Sequence, residues 1–166
     1  LQKYKEIGIN RLSIGLQSAE NRLLELIGRI HKFEDFEEVY KNARKVGFQN
    51  INVDLILGLP TQTMGELKNS LEKVINLNPE HISIYSLILE EGTELEKMIE
   101  TQELEMISED LERKMYWETK KILEKNAYNH YEISNFAKSD FESKHNLSCW
   151  NQEEYIGFGL AAHSYI

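Results

Sequence analysis

Cysteine is almost absent: Cys149 is the only one in 166 residues. A single thiol excludes an internal disulfide and offers no cysteine cluster for zinc or an iron–sulfur centre. A reducing cytoplasm is the compartment this usage suggests. Clustered Lys and Arg are also missing, and the formal charge of −9 argues against a nucleic-acid partner, which calls for a basic face. No apolar run reaches the roughly 18 to 20 residues of a membrane span, and Leu1–Glu6 has none of the apolar core of a signal peptide. A first residue other than Met fits a chain cut from a longer one. Low-complexity tracts and linkers are lacking as well.

What is present is a soluble, globular pattern, 41% hydrophobic and long enough for one domain or a large part of one. Strand character appears at Arg11–Gln17, Ile51–Leu57 and His81–Leu89, with helical patterns between them. Phe33, Phe36, Val39 or Tyr40, Ala43 and Val46 recur at helical spacing and meet Gly47 as a stop. Thr63 and Glu66 form a capping box ahead of Leu67, Leu71, Val74 and Ile75. Ser108 is placed to cap a helix reaching about Lys125, with Leu111, Met115 and Ile122 on one face. A short acidic helix is expected near Leu95–Glu100. The order strand, helix, strand, helix, strand is that of βαβ units and predicts an α/β fold with parallel strands.

Successive strand residues face opposite ways. Leu12, Ile14 and Leu16 oppose Arg11, Ser13, Gly15 and Gln17. Ile51, Val53, Leu55 and Leu57 oppose Asn52, Asp54, Ile56 and Gly58, and Ile82, Ile84 and Ile88 oppose His81, Ser83, Tyr85 and Leu87. One face is thus apolar and suited to helices, while the other is small and polar, as in a parallel barrel whose lumen holds a polar ligand. An antiparallel sheet wetted on one side would alternate in the same way, and the intervening helices and connection lengths favour the parallel reading. Asp54 lies among Val, Leu and Ile just before Gly58-Leu59-Pro60. A carboxylate in such company needs a ligand or a structural donor, because an unpaired buried charge costs several kcal/mol.

The runs Gly8-Ile9-Asn10-Arg11-Leu12-Ser13-Ile14-Gly15-Leu16-Gln17-Ser18, Leu26-Ile27-Gly28-Arg29-Ile30-His31 and Asn52 to Pro60 resemble radical S-adenosylmethionine (SAM) proteins of the oxygen-independent coproporphyrinogen III oxidase family. Pro79-Glu80-His81-Ile82-Ser83-Ile84-Tyr85-Ser86-Leu87 does so too. Tyr131-Glu132-Ile133-Ser134-Asn135-Phe136-Ala137 and His145-Asn146-Leu147-Ser148-Cys149-Trp150 are similar to the HemW branch, the haem-chaperone-like proteins. Cys149 stands where that branch's His-Asn-x-x-Tyr-Trp motif has Tyr, and Ala161 replaces a glycine in Gly157–Ser164.

The resemblance implies the later βα units of a partial radical SAM barrel over residues 1–107. Residues 108–166 would then be a helix and an irregular β segment that closes the barrel and leads toward a further domain. The family's CxxxCxxC loop, which binds a 4Fe–4S cluster, is not in the chain, so these residues alone are expected to be inactive. Gln17 and Asp54 would meet the ribose of SAM, and Arg29 its methionine carboxylate, roles that suit an amide, a carboxylate and a planar guanidinium. His145, Trp150 and His163 mark a candidate region for haem or substrate. Isolated histidines are also commonly structural, and the aromatic set Tyr128, Tyr131, Phe136, Phe141 and Trp150 fits either a porphyrin pocket or a small core.

Implied partners are haem or a porphyrinogen and haem-acceptor proteins, with no nucleic acid and no integral membrane segment. An anaerobic coproporphyrinogen III dehydrogenase, which decarboxylates its substrate oxidatively, is the alternative activity. A (β/α) module binding an unrelated small molecule is the reading without iron.

Overall fold

The structure, a computed structural model, describes all 166 residues. In chain order it contains α1 (Gln2–Glu6), β1 (Leu12–Gln17), α2 (Asn21–Leu26), α3 (Phe33–Val46), β2 (Ile51–Leu57), α4 (Met64–Leu77), β3 (His81–Ser86), α5 (Glu94–Glu100), α6 (Glu109–Lys125), β4 (Asn129–His130), β5 (Asn135–Ala137) and α7 (Lys144–Trp150). One sheet runs β1-β2-β3-β5-β4. The pairs β1–β2 and β2–β3 are parallel, as the alternation of strands and helices predicts, while β5 is antiparallel to β3 and β4 to β5.

The helix signals operate as the sequence implies. Thr63 Oγ1 accepts from the Glu66 N–H at 3.2 Å, and Glu66 Oε2 accepts from the Thr63 N–H at 2.8 Å, so two otherwise orphaned donors are satisfied at the start of α4. Gly47 closes α3 at φ 96°. On α3 the buried face is Phe36, Tyr40 and Ala43, with Val39 exposed, which resolves the choice between Val39 and Tyr40. On α6 it is Met115, Thr119 and Leu123, with Leu111 and Ile122 partly covered.

These helices pack on the apolar strand face. Leu16, Ile51, Val53, Leu55, Leu57 and Ile82 are all but fully buried there, each contributing about 1.5 to 3 kcal/mol relative to exposure. Tyr128 and Phe136 join the same core, and Tyr128 donates its hydroxyl to the Pro79 carbonyl at 2.8 Å. The aromatic set is therefore divided: two members fill the core, and Trp150 stands in solvent.

One local expectation needs correction, and two short helices carry no periodicity that announces them. β3 ends at Ser86, not Leu89, because β2, the strand it pairs with, stops at Leu57 and the chain turns away at Gly58, whose φ of 82° a residue with a Cβ rarely adopts. Gln62 pins that turn: its Oε1 accepts from the Gly58 and Leu59 N–H groups at 2.9 and 3.3 Å. The helix α2 has little periodicity of its own. Arg22 holds it from outside, reaching Thr61 Oγ1 at 2.7 Å and Glu66 Oε1 at 2.6 Å. The polar-aromatic run at 145–150 is the helix α7, capped by Ser143.

Candidate functional site

The polar strand face opens into a cavity of about 540 Å³ lined by Ser13, Gln17, Asn52, Asp54, Ser83 and Asn135, among others. Asp54 is held in place from its own sheet. Ser13 Oγ donates to Asp54 Oδ2 at 3.0 Å, and Asn52 Nδ2 donates to Asp54 Oδ1 at 2.7 Å and to Ser13 Oγ at 2.6 Å. A carboxylate oxygen carries more than one lone pair, so both oxygens of Asp54 keep acceptor capacity toward the cavity.

Gln17 closes β1 where the β1–β2 register shifts, between Gly15 and Gln17, and it sits at φ 70°. Left-handed backbone is uncommon for a residue with a Cβ. Here it folds the Gln17 side chain back over Gly15, whose missing Cβ would lie 2.7 Å from Gln17 Nε2. Gly15 thus makes room for the amide. Because the obstructing atom is the far end of a flexible side chain, Gly15→Ala is expected to cost little stability and to displace the amide. Thermal denaturation should show a Tm within about 2 °C of wild type, a shift of well under 1 kcal/mol for a chain of this size. Calorimetry on the full-length protein should show SAM binding weakened by about tenfold, the worth of one hydrogen bond.

Arg29 lies in a second cavity of about 620 Å³, lined mainly by apolar residues such as Leu26, Ile27, Leu89 and Met98. The two cavities share Ile56, Leu87, Ile88 and Glu90, so the polar chamber with Asp54 and Gln17 adjoins the apolar one with Arg29. The adjoining cavities are at the carboxyl ends of the parallel strands, where α/β sheets bind ligands. They suit a molecule with a sugar at one end and a carboxylate at the other.

His145, Trp150 and His163 line neither cavity and are exposed. His145 Nε2 is 3.9 Å from Cys149 Sγ on the same helix, and its ring meets Tyr155 edge-on at 6.2 Å. From the His-Asn motif it is Asn146 that reaches the polar cavity, beside Ser143.

Arg11 and His81 were not singled out by sequence, and Tyr131 was read only as one of an aromatic set. Arg11 lines the polar cavity, and its buried Nε has no hydrogen-bond partner. His81 is fully buried, and burial first, then the Arg11 charge, lowers its pKa to about 4. Tyr131 packs edge-on to the His81 ring with centroids 5.6 Å apart, and burial raises the pKa of its phenol. Strand alternation places Arg11 and His81 on the polar face. The contact between His81 and Tyr131, fifty positions apart, leaves no local signal.

The radical SAM superfamily model matches residues 1–74. Over all 166 residues the chain is 45% identical to the haem chaperone HemW of Bacillus subtilis (strain 168), and over 158 residues it is 44% identical to that of Lactococcus lactis (strain IL1403). The chain belongs to the HemW-like radical SAM family. It spans 44% and 42% of the length of these two relatives.

The radical SAM domain-containing protein 1 of Danio rerio, a mitochondrial protein, is 34% identical over 98% of the chain and is covered for 37% of its length. The coproporphyrinogen III oxidase HemN of Escherichia coli, described as a radical SAM enzyme, superposes with a TM-score of 0.76. That match covers 99% of this chain and 41% of HemN at 24% identity, which establishes the shared fold.

Full-length members of the family use SAM and a 4Fe–4S cluster. The donor set present is of a kind that SAM calls for, since a carboxylate and an amide, Asp54 and Gln17, line one cavity and a guanidinium, Arg29, lines the cavity beside it. The cluster finds no such set, because Cys149 is the lone cysteine and no three His, Cys, Asp or Glu side chains converge. No helix is long and apolar enough to cross a membrane.

Proposed function

We propose that residues 1–107 are the SAM-binding part of a HemW-like haem chaperone's barrel and that residues 108–166 close this part and lead toward a further domain. The observation that carries the reading is the match to HemW along the whole chain, at 45% identity. The two adjoining cavities support it. Asp54 and Gln17 bind the ribose hydroxyls, and Arg29 pairs with the methionine carboxylate. Bound SAM, together with a cluster held elsewhere in the protein, supplies the radical chemistry for which the family is known. The residues of this chain bind the cofactor, orient it and limit its access to water.

Haem is the second ligand, delivered to acceptor proteins in the cytoplasm, with His145, Trp150 and His163 as its candidate region. Their exposure suits a surface that must receive and release a ligand. The experiment is a haem titration of the full-length, cluster-loaded protein, followed by absorption of the haem Soret band. Saturable binding that weakens in His145→Ala supports the reading. An unchanged spectrum together with anaerobic conversion of coproporphyrinogen III would favour the dehydrogenase instead.

A further inference from the structure

Behind Asp54, a chain of buried and part-buried hydrogen bonds leads to the carboxylate, and Ser83 Oγ also donates into it, to Asn52 Oδ1 at 3.1 Å. The Ser143 N–H donates to Tyr131 Oη at 3.2 Å, and Tyr131 Oη lies 2.7 Å from His81 Nε2. On the other side of the ring, His81 Nδ1 lies 2.6 Å from Asn52 Oδ1. The Asn52 amide nitrogen then gives its two hydrogens to Ser13 Oγ and Asp54 Oδ1.

Proton counting fixes each link. An amide oxygen only accepts, so Nδ1 carries the hydrogen. The imidazole is neutral at physiological pH, since burial and the Arg11 charge hold its pKa near 4, and a neutral ring has one N–H. Nε2 therefore accepts, and the Tyr131 hydroxyl donates to it. Moving the ring proton to Nε2 would turn a bare Nδ1 toward the Asn52 oxygen. The Asn52 oxygen would then face a lone pair and keep only the Ser83 hydroxyl, 3.1 Å away, as a donor, so the amide would be held less firmly.

We propose that Tyr131 and His81 are positioning residues for cofactor binding: the phenol satisfies the bare Nε2 of the tautomer that the Asn52 oxygen requires, the Nδ1–H of that tautomer holds the Asn52 amide, and the amide aims the Asp54 carboxylate. This rests on the reading of Asp54 as the ribose contact. It ties the loop that leads into α7, through the Ser143 N–H, to the cofactor end of the sheet. Neither Tyr131 nor His81 lines the polar cavity.

The test is equilibrium binding of S-adenosylhomocysteine, a probe that carries the ribose and carboxylate but does not undergo cleavage, to full-length, cluster-loaded protein. Tyr131→Phe keeps the ring and removes the hydroxyl, and affinity should fall about tenfold, the worth of one buried hydrogen bond. His81→Asn places an amide N–H where Nδ1–H stood and should bind within about threefold of wild type. His81→Gln offers its amide at the Nε2 position and should fall with Tyr131→Phe. Adding Tyr131→Phe to His81→Asn should cost nothing more, because no ring nitrogen is left for the hydroxyl to satisfy.

A residue that only fills space would not separate Asn from Gln in this way. Wild-type affinity in Tyr131→Phe, or equal losses in His81→Asn and His81→Gln, would overturn the proposal. Asp54→Asn serves as the reference: if it binds like wild type, the ribose assignment itself has failed, whatever the other variants do.

Discussion

Asp54→Asn should weaken SAM binding by the full-length protein by about 30- to 100-fold while leaving its stability nearly unchanged. A carboxylate that accepts from two ribose hydroxyls makes charge-assisted hydrogen bonds, together about 2 to 3 kcal/mol beyond what a neutral amide provides. The protein side is forgiving. Asn52 already has Ser13 as a second acceptor at 2.6 Å, and an asparagine oxygen at position 54 can take over the bond now made to Asp54 Oδ1. The urea midpoint should therefore shift by less than about 1 kcal/mol in stability. Calorimetry and denaturation on the same preparation separate the two quantities. Equal losses in both would mean that Asp54 is a structural carboxylate.

The second large effect is on stability below neutral pH. His81 is depressed in the folded protein from 6.5 to about 4. Between those values the unfolded chain binds a proton that the folded one refuses, so stability rises with pH across that window. The contribution is complete above about pH 6.5 and is lost as pH falls toward 4. It amounts to about 3 kcal/mol, given 1.36 kcal/mol for each pKa unit. His81→Asn, which has no proton to gain, should flatten that part of the curve. Urea midpoints for both proteins at pH 7.5, 6 and 5 test this, and parallel curves would rule His81 out. The carboxylates titrate near the lower end in both proteins and cancel in the comparison.

Much of this molecule was open to reading because its local signals agree with its global fold. The three parallel strands, the Thr63–Glu66 box, the Gly47 stop and the Ser108 cap each rest on residues within one turn of one another. The polar face carrying Asp54 followed from alternation alone. What could not be read depends on distant partners. α2 is tied through Arg22 to Thr61 and Glu66, and β4 and β5 are two and three residues long and pair antiparallel at the end of a parallel sheet.

The left-handed backbone at Gln17 was equally hidden, since glutamine gives no sign of it and its purpose appears only beside Gly15. Family resemblance named Gln17, Arg29 and Asp54, yet it was silent on the support behind them. Asn52 touches Asp54 within β2, but His81 and Tyr131 make no contact within a single element that would give them away.

The sheet order has a consequence for biosynthesis. Residues 12–86 contain all three parallel strands, yet the outer edge of β3 is covered only by residues 135–137. A ribosome adds about 5 to 20 residues per second, so for several seconds the emerging chain holds its central strands with one flank bare and without Phe136 or Tyr131. In that interval His81 has no phenol against it, and the core lacks one of its fully buried aromatics. Competence to hold the cofactor would thus arrive only after residues 131–137 have joined the sheet. A nascent polypeptide would be a sheet in need of protection before it became a site.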